Sequence, residues 1–248
     1  MQFDMAQVVK EHVHHYVLNA SESNARREMP LTLLAQRVIE IATDNADIIG
    51  VGFDVMMKDN LAWVLSRMSI EMNRMPRVRE EYSITTWIES YNRHYSERNM
   101  EITGANGEVL GFVRTIWFAI DLNKRTPGDL SMLESLAITV SDRPCPIEKQ
   151  GRLRPIGEAT HVGEYRFRYS DIDFNNHVNS VKYMELLLNQ WPLEYHQSHD
   201  IARFEIAYLH ETHFDDEVKV NVAQVENVAD AEILNENTVA CRCRVIFK

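Results

Sequence analysis

Cysteine is scarce. The 248 residues hold three, Cys145, Cys241 and Cys243, with no spacing that frames a metal site or a disulfide set. Cys241 and Cys243 stand two apart, so on a strand they share a face, and packing accounts for them. No apolar run reaches the length of a membrane span. The opening MQFDMAQVVKEHVHH lacks the basic-then-apolar layout of a secretory signal, so a cytoplasmic location is expected. Cations are in deficit, with 26 Lys and Arg against 37 Asp and Glu and a net charge of −11. That argues against a nucleic-acid partner, which needs a basic surface. Low-complexity segments and long blocks of one charge are missing too. What is present, 45% hydrophobic and 25% charged residues, is the make-up of a soluble globular protein. The length fits one large domain or two ordinary ones.

The chain reads as two copies of one unit. A strand is expected at 8–18, then a helix opened by Pro30, with Leu31, Leu34, Ala35, Val38, Ile41 and Ala42 at helical spacing. Strand-like runs come next near 62–74, 81–94, 96–104 and 109–121. The second half repeats this order. EYRFRYS (164–170) alternates Tyr165, Phe167 and Tyr169 with Arg166 and Arg168 as a half-buried strand. A helix is expected at 179–191, with Val181, Met184, Leu187, Leu188 and Trp191 on one face. Strands near 202–210, 216–226, 229–234 and 238–247 complete it. SRMSIEM (66–72) lies over ARFEIAY (202–208) at an offset of 136 (202 − 66). One strand, one central helix and four antiparallel strands form the layout of a hotdog fold, in which the sheet wraps the helix. The expected fold is therefore α+β, with hotdog units at 1–130 and 155–248 and a Pro- and Gly-containing linker at 131–154.

The densest chemistry lies in DIDFNNHVNSVKY (171–183). It sets Asp173, Asn175 and His177 at alternate positions in a polar loop just before a helix. A carboxylate, an amide and an imidazole cover base, positioning and proton-transfer roles. Asp171, Asp173 and Asn175 also match the first ligand positions of an EF-hand. That pattern next requires Gly and, at its twelfth position, Glu; Asn176 and Lys182 stand there, so a calcium loop is excluded. HVHH (12–15) has no carboxylate or Cys at a ligating spacing, and packing explains it better than metal.

DIDFNNHVN followed by SVKY resembles the D-x-N-x-H-V-N-N-x-x-Y signature of the acyl-acyl carrier protein thioesterases, which end fatty-acid synthesis. The likeness extends to LAWVLSRMSIEMNRMP (61–76) and TIWFAIDLNKRTP (115–127). It implies two hotdogs in tandem, hydrolysis of an acyl thioester carried on acyl carrier protein, and a further Glu downstream of the motif His. Glu211 fills that position. If 202–210 is a regular strand, parity points Glu211 away from Phe204, Ile206 and Tyr208, so either the strand ends by Leu209 or a bulge re-aims the chain. Many relatives have Cys after this Glu; Thr212 stands here, so no Cys nucleophile is available.

The implied catalytic set is Asp173, Asn175, His177 and Glu211, with either carboxylate as base or nucleophile. The amides of Asn179–Val181 are the expected oxyanion donors. No metal, nucleotide or flavin is implied, because the site supplies its own carboxylates and donors. The first half is expected to lack such a loop, since RREMPLT (26–32) precedes its helix and Met75 aligns with Glu211. Met56, Met57, Met68 and Met72 suit an acyl cavity there. The expected partner is acyl carrier protein bearing an acyl-phosphopantetheine thioester. That partner is acidic, so Arg166, Arg168 and Lys182 beside the loop are candidate docking cations. An acyl-CoA thioesterase and a non-catalytic acyl-binding protein of the same fold are the alternatives, and both monomer and homodimer remain open.

Overall fold

Period-two burial makes the strands of this chain, and 3.6-residue spacing makes its helices. The computed structural model describes residues 10–131 and 138–248. In the first half, β1 (Glu11–Val17) leads to α1 (Leu31–Ile48) and a short α2 (Phe53–Met56). Then come β2 (Leu61–Met72), β3 (Glu81–Tyr91), β4 (Tyr95–Gly104), β5 (Val109–Asp121) and a two-residue β6 (Thr126–Pro127). The second half runs β7 (His161–Arg166), α3 (Ser180–Leu188), α4 (Leu193–Ser198) and β8 (Ile201–Tyr208). It ends with β9 (Glu217–Val225), β10 (Val228–Asn235) and β11 (Thr238–Phe247).

Leu34, Ala35, Val38, Ile41 and Ala42 of α1 are buried, as their spacing requires, and so are Val181, Met184 and Leu187 of α3. The second helix stops at Leu188 rather than 191. Pro192 disfavours helical backbone at Trp191 and then caps α4, so Trp191 is buried from a turn.

Every ladder among the described strands is antiparallel. They form one sheet in the order β1-β3-β4-β5-β2-β8-β11-β10-β9-β7, with β6 beside β5. Read outward from the centre, β2-β5-β4-β3-β1 on one side matches β8-β11-β10-β9-β7 on the other. At the central pairing Met68 faces Ile206, Ser69 faces Glu205 and Ile70 faces Phe204. Ser69 and Glu205 are 136 apart (205 − 69), the same offset at which the two half-sequences superpose. A pseudo-two-fold axis therefore passes through this pair. One continuous core serves both halves, with Leu34 of α1, Met68, Phe204 and Met184 of α3 in a single buried cluster.

Residues 132–137 of the expected linker lie outside the described residues. The later part of the linker straps both halves: Trp87 Nε1 donates to Arg143 O (2.9 Å) and Arg114 Nε to Ile147 O (2.8 Å), while Arg203 Nη2 donates to Glu148 O (3.0 Å).

Two expectations are corrected. The strand expected at 164–170 is β7, ending at Arg166; Phe167 is fully buried, but Tyr169 is 89% exposed in a 3-10 turn that breaks the alternation. Met56 and Met68 sit in closed core and Met57 is exposed, so these three do not line an open acyl cavity.

Candidate active site

The 171–179 loop is built by its own backbone before any chemistry begins. Asp171 is buried, its Oδ2 accepting from the Tyr165 hydroxyl (3.0 Å) and the Arg168 amide (2.7 Å), and its carbonyl from the Asn179 amide (2.8 Å). Asp173 N donates to His177 O at 2.8 Å, and Asp173 Oδ1 accepts the amides of Asn175 (2.8 Å) and His177 (3.3 Å). This is an Asx turn, in which a short side-chain oxygen gathers successive amides. Asn176 completes it in the left-handed region, φ 61°, which Asn tolerates well. The Asn175 and His177 side chains then project from a closed loop. Among the described residues none hydrogen-bonds the Asn175 side-chain amide.

Glu211 arrives from the other direction. β8 ends at Tyr208, after which the Leu209 and His210 amides both donate to Ala240 O, at 2.8 and 3.1 Å. Two successive residues opposing one carbonyl shift the side-chain parity, which is why strand alternation alone misplaces Glu211. Thr212 then locks the segment. It is fully buried, its carbonyl accepts the Val178 amide (2.9 Å), and its amide donates to the Tyr183 hydroxyl (3.2 Å). That hydroxyl also shares a 2.6 Å hydrogen bond with Thr212 Oγ1. Burial pushes the Tyr183 hydroxyl up to about 12, so it stays protonated and can donate.

Glu211 Oε2 consequently lies 3.4 Å from His177 Nε2. The same oxygen is held by the Arg125 guanidinium. Arg125 belongs to the first half, in the turn after β5, so the site is assembled across the two halves. Phe53 of α2 adds a second crossing contact, edge-on to Phe174 of the loop at 5.9 Å between ring centres. His213 stands edge-on to His177 at 5.2 Å.

The structure thus brings His177 and Glu211 into contact, and joins Asp173 and Asn175 to them through the loop backbone. Arg125 and Phe53 were missed, for no local pattern in the sequence marks a residue that acts across the halves; Tyr183, the last residue of the motif, acts within its own half through Thr212. Two of the three expected oxyanion donors are already committed: Asn179 N to Asp171 O, and Val181 N to the Asn179 side chain (2.9 Å). Ligating atoms of His177, Glu211 and His213 lie within 4.8 Å of one another, close enough to hold a metal ion. The Arg125 cation on Glu211 already occupies that carboxylate and opposes a second positive charge. Cys241 and Cys243 are buried on β11, and burial pushes the Cys145 thiol up, so none is an activated nucleophile. Of the docking cations, Arg166 pairs with Asp215 (3.2 Å) and Glu217, and Lys182 with Glu185 (2.8 Å), which neutralises two of the three.

The first half does carry the loop, contrary to the expectation from its side chains. Asn24 N donates to Glu28 O (2.9 Å), and Asn24 Oδ1 accepts the amides of Arg26 (2.9 Å) and Glu28 (3.1 Å). Arg27 has φ 61°, and Met29 N donates to Pro76 O at 2.9 Å, matching Asn176 and the Val178–Thr212 bond. The backbone is repeated, with Asn24, Arg26, Glu28 and Met75 in the places of Asp173, Asn175, His177 and Glu211.

A family model described as the acyl-ACP thioesterase N-terminal domain matches residues 9–132, and one for the C-terminal domain of the same family matches residues 156–247. A solved acyl-ACP thioesterase from Bacteroides thetaiotaomicron is 33% identical, with a TM-score of 0.90 over 96% of this chain and 98% of that one. The 12:0-ACP thioesterase from Umbellularia californica shares the fold at 17% identity, TM-score 0.87, over 96% of this chain and 97% of that one. A chloroplastic palmitoyl-acyl carrier protein thioesterase from Gossypium hirsutum is 25% identical over 212 residues, 79% of this chain. This chain spans about half the length of that plant relative, 51%.

Proposed function

Because this chain belongs to the acyl-ACP thioesterase family, we propose that it hydrolyses acyl-acyl carrier protein to free fatty acid and holo-carrier. The observation that carries the reading is the His177–Glu211 contact at 3.4 Å, beside an Asn175 side chain left unpartnered among the described residues. A water hydrogen-bonded to Glu211 loses its proton to the carboxylate as it attacks the thioester carbonyl. The C–S bond of the tetrahedral intermediate breaks, and the pantetheine thiolate takes a proton, with His177 as the shuttle. Asn175 orients the thioester through its amide. Asp173 spends one oxygen on loop amides, which leaves the base role to Glu211.

Arg125 positions Glu211 from the opposite half. In the same reading the halves are two hotdog units, at 1–130 and 155–248, joined by a linker at 131–154. The identical outward strand order of the two sides supports that division. Turnover of acyl-carrier and acyl-CoA substrates of matched chain length tests the proposal. A kcat/KM at least about tenfold higher on the carrier is expected, and equal values would return the reading to a general acyl thioesterase.

A further inference from the structure

The pseudo-two-fold axis gives the catalytic loop a counterpart, and beside that counterpart the fold holds a groove of about 600 Å³, within the size range of small-molecule sites. It lies between the 24–32 loop, the end of β2, and α3 with α4. By the symmetry this is the equivalent of the space around His177 and Glu211. Met72, Met75 and Leu188 give it an apolar, adaptable wall. Arg26, Arg74, Arg77 and Lys248 also line it, against the carboxylates of Glu28, Glu185 and Asp200.

Not all of this charge is spent. Arg26 pairs with Asp200 (2.6 Å) and Glu28 (3.3 Å), and Arg74 with Glu80 (2.7 Å) and Glu108 (2.8 Å). Arg77, however, is 71% exposed and has Glu28 no nearer than 3.9 Å. Lys248 Nζ donates to the carbonyls of Met72 (3.3 Å) and Asn73 (3.1 Å), and no carboxylate pairs with it among the described residues. An apolar groove with two such cations suits an amphiphilic anion. Hydrolysis there is excluded by the side chains: Met75 provides no base, and Glu28 in the His position is already ion-paired.

We propose that this groove is a second acyl site, which binds a free fatty acid with its carboxylate at Arg77 and Lys248 and does not turn over thioesters. The ligand named rests on the proposed hydrolysis, since a fatty acid is the product at hand. Duplication explains the geometry: the fold that presents an acyl thioester to one loop presents the same space to the other, and only the side chains differ.

Equilibrium dialysis of the full chain against labelled dodecanoate counts the sites. About two per wild-type chain are expected, one at the catalytic loop and one in the groove. Arg77→Glu, a change at an exposed side chain with an unchanged urea midpoint as the check on folding, should reduce the count to about one, as should Leu188→Asp. Asn175→Trp should remove the other site alone. One or no dodecanoate bound to the wild type, or two bound to both groove variants, would overturn the proposal. Acyl-carrier hydrolysis by Arg77→Glu is measured separately and should stay within about twofold of wild type. A wild type that binds two fatty acids and hydrolyses nothing would sink the proposed function and leave the second site standing.

Discussion

Tyr183→Phe should loosen the Glu211 carboxylate from a distance and weaken the whole fold. The lost hydroxyl serves two groups of one fully buried residue, the Thr212 amide at 3.2 Å and Thr212 Oγ1 at 2.6 Å. Each buried polar group left without a partner costs about 1–3 kcal/mol, so a loss of about 2–6 kcal/mol is expected for the two. Thr212→Val is milder. It removes one bond and leaves the Tyr183 hydroxyl still accepting the amide, for about 1 kcal/mol. The double variant orphans only the amide, so its loss should fall short of the sum of the singles by on the order of 1 kcal/mol. Urea denaturation measures all three, provided the slope is unchanged and the midpoint alone moves. Because Glu211 precedes Thr212, kcat of folded Tyr183→Phe should also drop, by about tenfold for a sub-ångström misplacement. An unchanged midpoint in Tyr183→Phe, or strict additivity in the double variant, would refute the claim that this hydroxyl anchors the segment.

Asn175→Ala, His177→Ala and Glu211→Gln should each lower kcat on the order of 10²-fold, while Cys145→Ser, Cys241→Ala and Cys243→Ala leave it nearly intact; a dead Cys variant that is still folded would contradict the mechanism. Arg166→Glu sets a third carboxylate beside Asp215 and Glu217, so it should raise the KM for acyl-carrier protein, as should Arg168→Glu; an unchanged KM in both would place docking elsewhere. Burial tends to raise the Glu89 carboxyl, but hydrogen bonds from Asn99, Lys149 and Arg114 outweigh it and hold it down at about 2. A carboxylate depressed in the folded state stabilises above its ordinary value and loses that contribution as pH falls. Glu89→Gln should therefore be less stable at neutral pH and show a flatter stability profile between about pH 4.5 and 2; parallel profiles would show that Glu89 contributes nothing.

Local order carried most of the fold into the sequence. The faces of α1 and α3 follow from apolar spacing, and the offset of 136 marks the residues that meet on the pseudo-dyad, Ser69 and Glu205. The site was legible only in part, because its assembly is not local. Periodicity points Glu211 away from Phe204, Ile206 and Tyr208, and the double use of the Ala240 carbonyl re-aims it toward His177 while it stays exposed, a bulge no alternation pattern announces. Arg125 meets Glu211 across 86 residues of chain, and nothing near it in sequence marks the meeting.

The first-half loop was hidden for the opposite reason. Its side chains differ from those of the motif, yet its backbone needs only an Asx oxygen at the head and a left-handed residue three positions on. Asn24 with Arg27 supplies these as well as Asp173 with Asn176 does. The head of the loop is therefore a structural requirement that both halves meet, and a carboxylate is dispensable for it. What separates the two junctions is then Asp173, Asn175, His177 and Glu211 against Asn24, Arg26, Glu28 and Met75. Met75 and Asn24 cannot take a proton from water, whereas Glu211 and Asp173 can, so under the proposed mechanism only the second-half groove has a group that could activate a nucleophile.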